Sequence, residues 1–458
     1  MRRGPMVSAE REAGSLGRRV GVGSAVSLGG VVLANGAGIV VAGGLARLLS
    51  VDDFGAFLVA NSATTVLAVV GRFGLGQTVV RRIAAALALG RPGEARAAAI
   101  RVAGLTTLLA AVIGAVVASP LGRWGARELV DTPALANAAL AVALWLAVDT
   151  VRLNLAEIER GYGRVVAATI ASQTGRYVLM AVTVGVLLVS RDHLALGSAC
   201  WAMAGSGFAI LAWVAVDAVR VLGRGSVDEN IPARGVMRDG SLVMFWELGG
   251  LLLTQIDVFV VSATLGGVAI ARYGAAARVA VLLALPLAAI NLALPAIVAE
   301  LHAVQKFERL ETVLRATAAA ATALAGAVIV VMTFGGGELL RVVFGPSYER
   351  GNVVLLVLAL GQLGNVVCGS CGLVLVMTGH QRTAARIAIG AIVVAVPLVI
   401  VGTRVDGIRG AAIAAAAVNV GYNLALVRAV RVRVGVRTEA SFGLAWRAAT
   451  EWRTQRAS

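Results

Sequence analysis

Apolar residues along this chain come in long, nearly unbroken runs instead of recurring at the spacing of one face of a soluble helix. Twelve runs stand out: Val20–Leu45, Phe54–Phe73, Val102–Leu121, Ala136–Leu155, Val165–Leu188, Leu194–Val216, Leu242–Leu265, Val279–Val298, Ala316–Val331, Val353–Met377, Ile387–Val401 and Ile408–Val427. A run of about 20 apolar residues crosses a hydrocarbon core about 30 Å thick. In lipid every backbone N–H and C=O has to find a partner without water, so each run is predicted to be a helix. The pattern predicts an all-α polytopic membrane protein with about twelve transmembrane helices.

The polar positions divide these runs into two sets. The longest polar break that also shifts composition is RVLGRGSVDENIPARGVMRDG, Arg220 to Gly240, with six runs on either side. It separates an N-terminal lobe, residues 1–222, from a C-terminal lobe, residues 223–458, that ends in a basic tail. The halves echo one another in order. Leu49 through Phe54-Gly55-Ala56 matches Leu265 through Tyr273-Gly274-Ala275, Asp131-Thr132-Pro133 matches Gly345-Pro346-Ser347, and Gly161 and Arg164 match Gly379 and Arg382. Six helices between equivalent elements leave both halves in the same orientation. Such a parallel repeat predicts two pseudo-symmetric six-helix lobes, related by an axis along the membrane normal, around a central cavity. Many of the 55 glycines fall in or beside helices, where small residues let helix backbones approach closely. Pro286 and Pro295 each remove a backbone donor and are expected to kink the eighth helix.

Net charge is +16, but its distribution excludes a nucleic-acid surface. Most of the 41 basic residues lie in alternate loops and in the N-terminal segment, where Arg2, Arg3, Arg11, Arg18 and Arg19 cluster. That alternation is the positive-inside bias, which puts both termini in the cytoplasm. No basic surface is interleaved with stacking aromatics. The tail from Arg428, with Arg431, Arg433, Arg437, Arg447, Arg453 and Arg456, is expected to lie against anionic headgroups. The first run is too long for a cleavable signal peptide. Cys200, Cys368 and Cys371 cannot build a disulfide framework, and the C-x-x-C of the last two reads as small packing residues. His193, His302 and His380 lie in separate loops without metal-ligand spacing. No catalytic constellation, phosphate loop or dinucleotide fingerprint is present, so the chain is not read as an enzyme and no organic cofactor is implied.

Charges inside the runs are the informative exceptions, since each costs at least about 2–3 kcal/mol if it faces lipid. Arg176 falls midway along the fifth helix, with Ser172 and Gln173 one turn earlier on its face. Arg272 and Arg278 open the eighth helix. On the seventh, Glu247, Gly250, Thr254 and Asp257 fall within an arc of about 80° at ~100° per residue, one polar stripe. Asp149 and Arg152 are spaced to pair on the fourth helix. These groups either line a polar interior or form ion pairs that fix helix packing. Gln362 and Asn365 on the tenth helix, and Asn419, Tyr422 and Asn423 on the twelfth, either hydrogen-bond a sugar-like ligand or bond neighbouring helices. Topology alone explains Arg81, Arg82 and Arg382.

Four stretches resemble one known family. Leu45 to Ala84 contains an acidic turn, Asp52-Asp53-Phe54-Gly55, then Gly74-Leu75-Gly76-Gln77 and Arg81-Arg82. Gln255-Ile256-Asp257 leads to Tyr273-Gly274-Ala275 and Arg278, and Phe344-Gly345-Pro346-Ser347-Tyr348 and Met377-Thr378-Gly379-His380 follow. In order and spacing these resemble the oligosaccharide flippases of the multidrug/oligosaccharidyl-lipid/polysaccharide superfamily. Arg72 departs from the pattern, which carries an acid there. The resemblance implies a transporter, driven by a gradient or a downstream reaction, that moves a polyprenyl-pyrophosphate-linked oligosaccharide across the cytoplasmic membrane by alternating access. Arg176, Arg272 and Arg278 would grip the pyrophosphate, and Gln362 and Asn365 the sugar. Glu247 or Asp257 would take up a proton or sodium ion. Implied partners are the lipid-linked oligosaccharide, anionic lipids, and a polysaccharide polymerase or glycosyltransferases. A cation-coupled multidrug exporter and a non-transporting scaffold for polysaccharide assembly are the rival readings.

Overall fold

Ser50 sets the first hairpin. It accepts the Asp53 N–H on its hydroxyl at 3.1 Å, and Asp52 and Asp53 occupy the first helical turn, where carboxylates oppose the positive end of the helix dipole. Helix α1 (Val32–Leu48) therefore stops and α2 (Val51–Arg72) starts within two residues. The other end of α2 closes on Phe73 and Gly74, both left-handed, and reopens as α3 (Leu75–Ala88). The computed structural model describes residues 29–30, 32–128, 132–223, 243–244 and 247–443.

The N-terminal lobe continues with α4 (Pro92–Ala118), α5 (Pro120–Glu128), α6 (Pro133–Asn137), α7 (Ala139–Gly161), α8 (Val165–Thr169), α9 (Gly175–Ser190) and α10 (Leu196–Leu222). A π-turn over Ile170–Thr174 joins α8 to α9 as one span. The C-terminal lobe holds α11 (Glu247–Leu253), α12 (Ile256–Leu265), α13 (Gly267–Ala280), α14 (Leu285–Ala303), α15 (Phe307–Phe344), α16 (Asn352–Cys368), α17 (Cys371–Met377) and α18 (Gln381–Arg433). The described residues contain no strand.

The described residues of each of the twelve apolar runs fall mainly on helix; residues 20–28 and 31 of the first and 242 and 245–246 of the seventh lie outside the described residues. Among the described residues nine helices are long and apolar enough to cross a membrane, or ten if α11 and α12, bent by 44°, form one span. The last two runs share α18, which breaks at Asp406–Gly407, where Gly407 takes a φ of 52°. Ahead of Pro286 the eighth span tightens into a 3-10 turn over Val281–Ala284, while Pro295 lies within continuous helix. The lobe boundary at 222/223 opens a segment, residues 224–242, outside the described residues.

The lobes meet at the end of the bundle that carries Ser50. The repeated motifs themselves make this contact. A Cβ on Gly55 would lie 2.3 Å from the Gly267 carbonyl oxygen, so only glycine there permits α2 and α13 to touch backbone to backbone, and Gly274 packs against the end of the Leu58 side chain. Phe54, fully buried, stacks edge-on to Tyr348 with ring centroids 5.8 Å apart. Arg47 donates to the Val342 carbonyl beside them. This end is sealed by apolar packing.

The tenth span breaks at Gly369 and Ser370, between α16 and α17. A break inside a membrane leaves carbonyls without helical partners. Residues that follow α18 supply them: Thr438 donates its hydroxyl to the Cys368 carbonyl at 2.9 Å, and the Ala440 N–H donates to the Val367 carbonyl at 2.8 Å. The tail expected on headgroups is thus a strap in its first part, with Val436 and Thr438 buried while Arg428, Arg431, Arg433 and Arg437 stay exposed. Arg447, Arg453 and Arg456 lie outside the described residues. Cys200, Cys368 and Cys371 are free and buried, as packing residues are.

Candidate functional site

A cavity of about 750 Å³ lies between the lobes. Its walls come from the second half of α2, the middle of α7, the start of α9, α11, and α17 with the start of α18. All of these lie between mid-span and the end that carries Arg72, so the cavity opens there and is closed at the Ser50 end. Among the described residues five charged side chains line it: Arg72, Asp149, Arg152, Arg176 and Glu247.

Three of them form a buried cluster. Asp149 and Arg152 are three residues apart on α7, so they share a face, and the Arg152 Nε–H donates to Asp149 Oδ1 at 3.0 Å. Trp145, one turn earlier on that face, donates its indole N–H to Asp149 Oδ2 at 2.9 Å. Arg176 reaches across from α9 and donates to the same Oδ2. Arg152 also donates to the Ala171 carbonyl in the π-turn. Two guanidiniums against one carboxylate leave the cluster with one net positive charge, with Arg176 5% and Arg152 3% exposed. The Arg176 guanidinium carbon lies 4.7 Å from the centroid of the Tyr177 ring, a cation–π contact. Its Nε is buried without a hydrogen-bond partner among the described residues. Both sequence readings of these charges hold together: Arg176 is ion-paired across helices and lines the cavity.

At the mouth, Arg72 and Glu247 approach to 3.7 Å across the two lobes, and the Gln77 amide donates to Glu247 at 3.1 Å. Arg72 in the last turn of α2 also suits the negative end of that helix. The residue that departs from the family pattern therefore faces a carboxylate on the opposite lobe.

A family model described as "Polysaccharide biosynthesis protein" matches residues 20–300. The chain belongs to the polysaccharide biosynthesis protein family. The MatE family model matches residues 244–401, within the second lobe. No curated protein matches the chain. Among solved structures it is similar to an inward-facing multidrug resistance MATE family transporter of the MOP superfamily, 17% identical with a TM-score of 0.72, covering 90% of this chain and 98% of that one. The outward-facing form of a multidrug resistance MATE family transporter gives 16% identity and a TM-score of 0.61, covering 91% and 95%. A Vibrio cholerae MATE transporter in the bent form gives 16% and 0.59, covering 92% and 98%. This polysaccharide biosynthesis family member is a multi-pass membrane protein with the fold of the MATE transporters.

The fold rearranges the family member's sequence-derived candidates. Glu247, Gly250 and Thr254 line the cavity as one stripe, but Asp257 does not continue it. The reason is the 44° bend between α11 and α12, which ends the regular 100° progression at Thr254–Gln255. Asp257 instead accepts the Tyr273 hydroxyl at 2.6 Å and the Val258 N–H at 2.9 Å. Arg272 is at the sealed end, donating its Nε–H to the Ser347 carbonyl at 3.0 Å, away from the cavity. Arg278 is not in the cavity wall, though it lies within electrostatic reach of Tyr177. Asn365 lines a second, smaller cavity inside the C-terminal lobe, with its amide 3.5 Å from Gln362, which lines neither. Asn419 spends its amide on the Gly361 carbonyl at 3.3 Å, a helix–helix bond.

Trp145, Tyr177, Asn61, Thr64 and Thr65 also line the cavity, and the sequence reading does not single them out. Their signal is periodicity: Asn61, Thr64, Thr65, Ala68 and Arg72 follow one another along one face of α2 at the spacing of helical turns. Among the described residues no group of three His, Cys, Asp or Glu side chains could hold a metal ion.

Proposed function

We propose that this chain is a flippase for a polyprenyl-pyrophosphate-linked oligosaccharide, working by alternating access in the cytoplasmic membrane. The observation that carries this reading is the charge of the cavity: three arginines against two carboxylates, with the cationic Asp149–Arg152–Arg176 cluster at its centre. A guanidinium in a low-dielectric wall is a strong, directional partner for phosphate oxygens. Arg176, with a buried Nε left over, is the leading contact for the pyrophosphate. The same cavity would disfavour an organic cation.

With both termini cytoplasmic, the open mouth faces the cytoplasm, where a lipid-linked sugar is loaded. The headgroup would then enter past Arg72 while the polyprenyl tail stays in the bilayer. Arg278, within electrostatic reach of Tyr177, is the C-terminal lobe's candidate for meeting the phosphate as the lobes rock; Arg272 serves the closed end in this conformation. Glu247, which bridges to Arg72 at the mouth, is the leading carboxylate for proton or sodium coupling, with Asp257 second. The exposed arginines at the end of α18 suit anionic headgroups, and a polymerase or glycosyltransferase would be the functional neighbour.

A multidrug exporter is the second reading, and Glu247 in a cavity walled by Trp145, Tyr177 and Leu251 is what favours it. Mass spectrometry of membrane lipids from cells depleted of the protein separates the two. Accumulation of one polyprenyl-pyrophosphate oligosaccharide is expected. Unchanged lipids with raised sensitivity to cationic compounds would transfer the assignment to the exporter.

A further inference from the structure

The C-terminal lobe holds a cavity of about 250 Å³ that the charged site does not use. Its polar lining is uncharged: Asn291 on α14, Asn365 on α16, Ser370 at the α16–α17 break, and Tyr422 and Asn423 on α18. Four separate elements aim carboxamides and hydroxyls at one space inside a membrane bundle, where a neutral polar group also costs free energy unless it is hydrogen-bonded. Part of that demand is met internally. Ser370 donates to Asn291, and the Asn423 amide donates to the Asn419 carbonyl at 2.8 Å. Among the described residues the Asn365 amide has the Gln362 contact at 3.5 Å, the outer limit of a hydrogen bond. Gly372, Leu373 and Tyr422 line this cavity and the central one alike, so the smaller space is a side chamber of the larger.

We propose that this chamber binds a single neutral sugar unit of the translocated headgroup. The inference rests on the flippase reading and adds a second contact region to it. A carboxamide both donates and accepts, which matches a hydroxyl that does both, whereas a pyrophosphate offers acceptors only. Among the described residues no carboxylate or cation lines the chamber, so it recognises hydroxyl pattern and not charge. Its volume is below the roughly 300–1,000 Å³ of drug-sized sites, as a site for one ring should be. The phosphate on the N-terminal lobe and a sugar on the C-terminal lobe would then tie the two halves to one substrate.

The test compares two probes on the full-length protein in nanodiscs: bare undecaprenyl pyrophosphate, and the same lipid carrying glucose, galactose, mannose or N-acetylglucosamine. At least one glycosylated lipid should bind more tightly than the bare lipid. Asn365→Leu and, separately, Ser370→Ala should each remove about fivefold of that gain while leaving the bare lipid's affinity unchanged. Ser370→Ala is a minimal truncation that keeps the assay informative if Asn365→Leu does not fold. Equal binding of bare and glycosylated lipids by the wild type overturns the chamber assignment, as does an unchanged gain in both folded variants. Binding of neither lipid overturns the flippase reading as well, so the two failures are distinguishable.

Discussion

Arg72 and Glu247 hold opposite lobes 3.7 Å apart at the mouth of the cavity, each side chain 19% exposed. The other ion pairs described each lie within one lobe. The sealed end is held by glycine contacts and aromatic rings, so this pair is a polar strut opposite an apolar hinge. Its removal weakens only the conformation in which it forms. Arg72→Ala and Glu247→Gln should each shift the population away from the state open at the Arg72 end by about two- to fivefold, the scale of a partly solvated ion pair. Distances between spin labels on the two lobes would report the shift. The exchanged pair, Arg72→Glu with Glu247→Arg, should restore the wild-type distribution.

The buried cluster predicts opposite consequences for its two interhelical partners. Asp149→Ala leaves Arg152 and Arg176 facing one another without a counter-charge, which should cost about 3–5 kcal/mol and most of the folded protein. Arg176→Ala leaves Asp149 paired with Arg152 and hydrogen-bonded by Trp145, so the protein should fold and reach the membrane but not transport. Detergent-solubilised yield by size exclusion, set beside transport, separates the two. Equal loss of fold in both variants would remove Arg176 from its substrate role.

Closure of the Ser50 end depends on Gly55. A methyl group there would lie 2.3 Å from the Gly267 carbonyl, closer than atoms tolerate. Gly55→Ala should therefore hold the lobes apart at that end and slow transport with the fold retained. Labelling of a cysteine placed at Asn61 by an impermeant external reagent should rise in the variant.

The C-terminal strap predicts a stability effect remote from the cavity. Thr438→Val leaves the Cys368 carbonyl without its donor in a buried site, at a cost of about 1–3 kcal/mol, visible as a lower Tm. Burial pushes the Glu439 carboxyl up, but its own backbone N–H and Arg431 outweigh that and hold it below the usual carboxylate range. A depressed value means that the strap's contribution is complete at neutral pH and is lost as pH falls through that value. Proteolysis of the strap should accelerate only below that point, and Glu439→Gln should remove the dependence.

The membrane fold was legible because it is written in run length, which needs no tertiary information. Of the matched stretches Phe54-Gly55-Ala56 and Tyr273-Gly274-Ala275, Gly55 and Gly274 both lie in the contact between α2 and α13. The Asp149–Arg152 pair followed from spacing on one helix, but its tie to Arg176 needed the crossing of α7 and α9. Asp257 was misplaced because no glycine or proline marks the bend at Thr254–Gln255, so helical periodicity was carried across it. Arg272 and Arg278 looked alike as charges opening one helix, six residues apart in the numbering, yet Arg272 bonds the Ser347 carbonyl at the sealed end and Arg278 does not share that contact.

Transport by the purified protein in proteoliposomes tests the central claim most directly. The assay follows exposure of a polyprenyl-pyrophosphate oligosaccharide on the far leaflet, for wild type and Arg176→Ala at matched protein density. The account predicts time-dependent exposure in the wild type and a drop of at least about tenfold in the variant, the loss of one charge-assisted contact to phosphate. Equal rates for wild type and Arg176→Ala, or movement of a cationic dye in place of the lipid-linked sugar, would contradict it.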